Sequence, residues 1–83
     1  PELSAADDAL LGRLRELRTA IARDEKVPAY VVFADRTLLE MAVRRPRNLR
    51  AMEAIRGVGP VKLERYGERM LNLLRTAHEP ETA

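Results

Sequence analysis

Two glycines flank one apolar residue in the segment 56–60 (Arg-Gly-Val-Gly-Pro), between two stretches of helical pattern. Glycine reaches positive φ without steric cost, so the chain can reverse here within a few residues. Pro60 suits the first turn of a new helix, and the backbone amides of that turn, with Lys62 close by, are able to hold a phosphate. The segment is therefore either a structural turn with an ordinary surface lysine or a phosphate-binding hairpin.

Basic residues are concentrated around this segment. Residues 43–83 carry nine basic and five acidic side chains, whereas residues 1–42 carry six basic and eight acidic ones. Such an asymmetry creates a local positive field although the net charge is only +2. The candidate contacts to nucleic acid are Arg44, Arg45, Arg47, Arg50, Arg56, Gly57, Gly59 and Lys62. The alternative interpretation is a solvated helical surface that is rich in arginine because arginine favours helix.

Tyr30 is the aromatic residue placed to stack on a nucleic-acid base. It follows Pro28 in a short turn, and stacking on such a ring contributes roughly 1–3 kcal/mol per base. The alternative is a half-buried tyrosine that anchors the turn. Tyr66 instead lies on the apolar stripe of the last predicted helix, so we expect it in the core.

The side-chain sets that catalysis requires are missing from the sequence. There is no cysteine, and His78 is the single histidine. The Gly-Val-Gly-Pro segment lacks the Gly-Lys-Ser or Gly-Lys-Thr ending of a nucleotide-binding phosphate loop. Neighbouring carboxylates such as Asp7 and Asp8 point about 100° apart on a helix and converge poorly on a metal ion. We therefore expect no catalytic residue, no metal and no cofactor.

Apolar periodicity predicts helices throughout the chain. Ser4 is predicted to cap a first helix that ends near Lys26, because leucines and an isoleucine recur every three or four residues. The short apolar run 29–33 has no partner strand, so we predict a single helical turn. Asp35 is the expected cap of a third helix that ends near Arg44.

The second half of the chain follows the same pattern. Asn48 is predicted to cap a short helix over 49–56, with Leu49 facing inward, and Pro60 begins a last helix that ends near Ala77. Gly67 lies inside that helix, where it either allows a close neighbour or is incidental. The sum is an all-α bundle of four or five helices with short links.

Composition indicates one small folded domain. The chain has 83 residues, of which 46% are hydrophobic, and no apolar run approaches the roughly 20 residues that span a bilayer. The lack of cysteine suits a reducing, cytoplasmic compartment, and no secretory signal is present. Because the sequence begins at Pro1 without methionine, we expect a single domain, 1–83, taken from a longer protein.

Two runs of sequence resemble the signatures of a known family. The run 27–42 (VPAYVVFADRTLLEMA) is similar to the central signature of the HRDC domain, a name that stands for helicase and RNase D C-terminal. The run 55–67 (IRGVGPVKLERYG) is similar to its second signature, at the expected separation. The resemblance covers about residues 7–77 and is closest in detail to HRDC domains of bacterial RecQ-type DNA helicases.

This resemblance implies a compact five-helix bundle with a turn like that of a helix-hairpin-helix motif. It implies a non-catalytic accessory module that assists a helicase in binding and choosing DNA, in the bacterial cytoplasm near the nucleoid. The matching residues expected in the core are Val31, Phe33, Leu38, Met41 and Leu63. Surface charge varies within the family, so DNA binding has to be argued from the side chains of this chain.

Our leading hypothesis is weak, salt-dependent binding of single-stranded or partly single-stranded DNA by a monomeric domain beside its helicase core. The runner-up is a regulatory protein contact that tunes the DNA affinity of the parent enzyme, including by lowering it. It would use an acidic face made of Asp7, Asp8, Glu16, Asp24 and Glu25. A third possibility is an inert spacer.

Overall fold

Five helices and no strand form the part of the chain that the structure, a computed structural model, describes: residues 3–78. The helices are α1 (Ala5–Glu25), α2 (Ala29–Val32), α3 (Asp35–Arg44), α4 (Leu49–Glu53) and α5 (Pro60–His78). Helix α1 packs against α2, α3 and α5, while α4 packs on α5. The predicted all-α bundle is confirmed, and it contains five helices.

Helix α1 begins and ends near the residues that the sequence predicts. The Ser4 hydroxyl oxygen accepts a hydrogen bond from the backbone N–H of Asp7 at 3.0 Å, which satisfies one free amide of the first turn. At the other end Lys26 adopts a left-handed conformation, with φ of 59°, and its N–H bonds back to the carbonyls of Ala22 and Arg23. This reversal directs the chain into Pro28 and α2.

Helix α2 is a single turn, as predicted, but it buries only one side. Val32 and the following Phe33 are fully buried, whereas Val31 is 42% exposed. The expectation that Val31 belongs to the core is therefore wrong. One helical turn has a single inward direction, and Val31 lies about 100° away from Val32 around it.

The start of α3 also differs from the prediction. Asp35 is the first residue of the helix rather than its cap, and Ala34 precedes it with no side-chain hydrogen bond. The Asp35 carboxylate instead accepts from Arg18 Nη1 at 2.8 Å. The same nitrogen donates to the Phe33 carbonyl at 2.9 Å, so Arg18 ties α1 to the α2–α3 junction.

Helix α4 is capped as predicted, because Asn48 Oδ1 accepts from the N–H of Ala51 at 2.8 Å. It ends at Glu53 rather than at Arg56. The amides of Ala54 and Ile55 bond to carbonyls three residues back, at 3.2 and 3.0 Å, so the backbone tightens before the glycines.

Helix α4 packs against α5 at Gly67. A Cβ atom on Gly67 would lie only 3.0 Å from Leu49 Cδ2, so the missing side chain permits the close approach of the two helices. Leu49 is nevertheless 38% exposed, less buried than the apolar pattern predicts.

One continuous core joins all five helices. Leu38 and Met41 are buried as expected, and Leu63 packs against the core while remaining half-buried. The largest fully buried side chains are Phe33, Leu14, Ile21, Leu38, Met41, Met52, Met70, Leu71, Leu74 and Val32.

Candidate nucleic-acid interface

The turn between α4 and α5 is held against the first turn of α3. Gly57 has a φ of 96°, a conformation that favours glycine, and a Cβ atom there would collide with Thr37 Oγ1. The buried Thr37 hydroxyl donates to the Arg56 carbonyl at 3.1 Å. Only the first glycine of the pair is therefore required by the fold, since a Cβ on Gly59 would meet open space.

No acidic side chain of the first turn neutralises the partial positive charge at the start of α5. Gly59 acts as the cap residue, because its carbonyl accepts from the N–H of Leu63 at 2.9 Å. The first turn of α5 contains no acidic residue, whereas the first turn of α1 contains Asp7 and Asp8. The partial positive charge of the helix and its free amides thus remain available to an anion.

Lys62 lies beside an aromatic pair at this helix start. Its Nζ atom is 5.8 Å from the centroid of the Phe33 ring, a cation–π distance. Phe33 in turn meets Tyr66 edge to face, with centroids 5.8 Å apart and an interplanar angle of 71°. The half-buried Lys62 side chain therefore reaches Phe33, at the junction between α2 and α3.

Tyr30 is presented to solvent on α2, the short helix that leads into Phe33. Its side chain is 72% exposed, which argues against the alternative of a half-buried anchor. Tyr30 precedes Phe33, whose ring Lys62 crosses, by three residues, but Phe33 is fully buried, so the two aromatic side chains point in different directions. Val31 and Val61 are also exposed here, at 42% and 65%. Tyr30, Arg56, Gly57, Gly59 and Lys62 are hereafter called the hairpin cluster.

Tyr66 is buried, as the sequence predicts, and its hydroxyl contacts Glu25, the last residue of α1. The Tyr66 hydroxyl donates to Glu25 Oε1 at 2.8 Å, and Arg65 Nη1 lies 3.9 Å from the same oxygen. The hydrogen bond to Glu25, together with burial, raises the pKa of Tyr66 above its usual 10.0. Tyr66 therefore remains a neutral donor at physiological pH.

Arg44, Arg45 and Arg47 lie at the opposite end of the bundle. Arg75 Nε donates to the Arg47 carbonyl at 3.3 Å, and Arg75 follows Lys62 by thirteen residues on α5. At 1.5 Å per residue, this separation is about 20 Å. Arg50 lies between the two ends, since the adjacent Leu49 packs at Gly67. The sequence-predicted contacts thus form two groups rather than one.

Two arginines of this distant group have acidic partners. Arg44 Nε is 3.3 Å from Glu40, one turn earlier on α3. Arg45 Nη2 is 3.0 Å from Asp7, and its Nε donates to the Ala42 carbonyl at 3.2 Å. Arg45 therefore connects the end of α3 to the start of α1, which gives it a structural role.

The predicted acidic residues do not form an uninterrupted face on α1. Asp7 and Glu25 already contact Arg45 and Tyr66. Asp8, Glu16 and Asp24 are exposed, but so are the three intervening or adjacent arginines of the same helix, Arg13, Arg15 and Arg23. The surface of α1 consequently alternates in charge.

Over residues 3–78, no three histidine, cysteine, aspartate or glutamate side chains come together in a way that could hold a metal ion. Within the same range, every helix is too short or too polar to cross a membrane.

Comparison with known proteins places these features in a family. The family model of the HRDC domain matches residues 7–74. The ATP-dependent DNA helicase RecQ of Pasteurella multocida is 44% identical over an alignment of 80 residues that covers 89% of this chain and 13% of that protein. The ATP-dependent DNA helicase UvrD2 of Mycobacterium tuberculosis is 45% identical over 69 residues, 83% of this chain and 10% of that protein.

A solved structure shows the same fold. HRDC domain 3 of D. radiodurans RecQ superposes with a TM-score of 0.85 at 35% identity, covering 89% of this chain and 97% of that one. This chain therefore corresponds to a whole domain there, whereas it spans only about a tenth of the two helicases. The family predicted from the two sequence signatures is confirmed: the chain belongs to the HRDC domain family.

Proposed function

We propose that this domain is a non-catalytic accessory module that binds single-stranded or partly single-stranded DNA weakly, through the hairpin cluster. Attached to a DNA helicase core, it would help that enzyme choose its DNA. The observation that carries the proposal is the start of α5, which has no acidic residue and has Lys62 within it, together with the exposed Tyr30 ring on α2. The names of the similar proteins, which are DNA helicases, support the class of ligand.

Each group of the hairpin cluster has a chemical role in this proposal. A backbone phosphate lies at the start of α5, where Gly59 lets it approach the amides and Lys62 adds a full positive charge. Arg56 contacts the next phosphate, and Tyr30 stacks on an unpaired base. None of these contacts reads a base edge, so binding depends on strand structure rather than on sequence.

The isolated domain is expected to have a low affinity for DNA. Within a larger chain, that affinity is enough to influence which DNA the protein engages. A tethered module experiences an effective concentration in roughly the millimolar range, so weak contacts are enough to bias which DNA is engaged. The proposal includes Arg44, Arg47 and Arg50 as additional phosphate contacts for longer strands. The most distant of these arginines lie about 20 Å from the hairpin cluster. Arg45 is a weaker candidate because it connects α3 to α1.

The direct test is substitution of Tyr30. Tyr30→Ala should weaken binding of a fluorescent oligothymidylate by roughly 5- to 100-fold, the equivalent of one lost stacking contact. Tyr30→Phe should retain most of the affinity, because the ring and not the hydroxyl carries the stacking. Thermal unfolding should be nearly unchanged in both variants, since the side chain is exposed.

Deletion of the domain from its full-length protein distinguishes the alternatives. Weaker or less selective DNA binding after deletion supports the proposal. Tighter DNA binding after deletion, with no binding by the isolated domain, would support regulation through the acidic residues of α1. Unchanged behaviour in every assay would support a spacer. The alternating charge on α1 favours the first outcome.

A further inference from the structure

Helix α5 carries a second set of cations that the sequence analysis passed over. Lys62, Arg65 and Arg69 follow one another at spacings of three and four residues, so they share one side of the helix. Two contacts fix that side as the one toward α1 and α2. Lys62 lies over Phe33, and Arg65 lies 3.9 Å from Glu25. Arg69 continues the row by one further turn, exposed to solvent.

The two acidic residues of α5 lie along the edge of this row, and Glu68 follows Arg65 by three residues, so these two side chains are neighbours on the helix surface. Glu68 is about 100° around the helix from Arg69, and its carboxylate is 3.9 Å from Arg75. Glu64 is two residues from Lys62 and falls on the same side as Glu68. Within residues 3–78, Arg69 belongs to none of the ion pairs, so its charge is available to a ligand.

The row leads from the hairpin cluster toward the opposite end of the molecule. There, a shallow depression between the start of α1 and the end of α5 is lined by Arg13, Arg45 and Thr76. Lys62 and Thr76 are fourteen residues apart on α5, which corresponds to about 21 Å. A basic path along one flank of α5 therefore connects the two groups of predicted contacts.

We infer that a bound DNA strand leaves the hairpin cluster along this flank, with Arg65 and Arg69 contacting successive phosphates. This inference rests on the proposed function and extends the same site. Glu25 competes with the DNA for Arg65. Its carboxylate faces Arg65 in the free domain, and an incoming phosphate has to displace it. The exchange costs little free energy, because the Arg65–Glu25 contact is long, at 3.9 Å, and exposed ion pairs contribute little to stability.

The experiment measures binding of a labelled 15-nucleotide oligothymidylate as a function of salt. Arg69→Ala and Arg65→Ala should each weaken binding about 2- to 5-fold at low salt. Each should also reduce the log–log salt slope by about 0.7, the value for one lost phosphate contact on a single strand. Arg15→Ala is the matched control, because it removes the same charge from an exposed position on α1.

A gain of affinity gives a second readout. Glu25→Gln keeps an oxygen that accepts the Tyr66 hydrogen bond but removes the charge that faces Arg65, so binding should strengthen about 2-fold or more. Asp8→Asn removes one charge from the other end of α1, seventeen residues or about 25 Å away. It should have little effect at 0.1 M salt, where the Debye length is about 10 Å.

The outcomes separate the inference from the proposal beneath it. If the unmodified domain binds but Arg65→Ala and Arg69→Ala behave like Arg15→Ala, the strand does not follow α5 and the inference is wrong. If Glu25→Gln and Asp8→Asn change affinity equally, the role of Glu25 is only a contribution to net charge. If the unmodified domain binds no DNA at low salt, the proposed function itself fails.

Discussion

Gly57 and Gly59 look equivalent in the sequence, but the structure uses them differently. At Gly57 both the positive φ and the adjacent Thr37 hydroxyl exclude a side chain. We predict that Gly57→Ala lowers the free energy of unfolding by about 1–3 kcal/mol. Gly12→Ala should instead raise it by roughly 0.5–1 kcal/mol, because that helical glycine has open space around it. Urea denaturation of both variants checks the prediction, and equal effects would contradict it.

Gly59 provides a test of ligand binding that is separate from stability. Because a Cβ atom there meets open space, Gly59→Ala should change the free energy of unfolding by no more than about 1 kcal/mol, the cost of a poorer helix cap. The same methyl group would stand where a phosphate approaches the amides of α5, so DNA affinity should fall several-fold. Denaturation and fluorescence anisotropy on one sample measure both quantities. Unchanged affinity would show that no phosphate lies at this helix start.

At the scale of elements, Arg18 determines how α1 meets the α2–α3 junction. Its side chain is only 11% exposed and donates to both the Phe33 carbonyl and Asp35. Arg18→Ala should lower the free energy of unfolding by roughly 1–3 kcal/mol, because a buried carbonyl loses its charged donor. Arg15→Ala, an exposed change on the same helix, should cost less than about 0.5 kcal/mol. Similar costs for the two variants would contradict this role.

The helices themselves follow from local chemistry, which is why the sequence predicts them well. Ser4 and Asn48 cap α1 and α4 because their side chains bond to amides three residues away, a purely local interaction. Asp35 is not the cap that the sequence predicts: it is the first residue of α3, and its carboxylate contacts Arg18, seventeen residues away. The position of Arg18 offered a signal: it follows Leu14 by four residues and precedes Ile21 by three, within the apolar stripe.

The candidate site was predictable only in part, for a related reason. The glycine turn and Tyr30 can be predicted from the sequence because short motifs identify them. The partition of the arginines into two groups depends on which helix ends meet, and thus on contacts such as Arg75 with the Arg47 carbonyl. Thr37 was missed because its partner, the Arg56 carbonyl, is nineteen residues away. Helical spacing on α5 would have revealed Arg65 and Arg69.

At the scale of the whole molecule, charge placement matters more than net charge. The domain is only slightly basic, yet one flank of α5 and the adjoining hairpin cluster combine several cations with an uncompensated helix start. Such an arrangement favours ligands that carry regularly spaced negative charges. Under the proposed function, the module would hold a strand for a neighbouring enzyme and would need no catalytic residue of its own.

The salt dependence of DNA binding by this chain tests the central claim most directly. Titration of a labelled oligothymidylate should give a log–log slope near −3, as expected when about four phosphates on a single strand are neutralised. Tyr30→Ala should weaken binding without changing that slope, because stacking releases no counterions. Binding that is absent at low salt, or that does not vary with salt, would contradict the account.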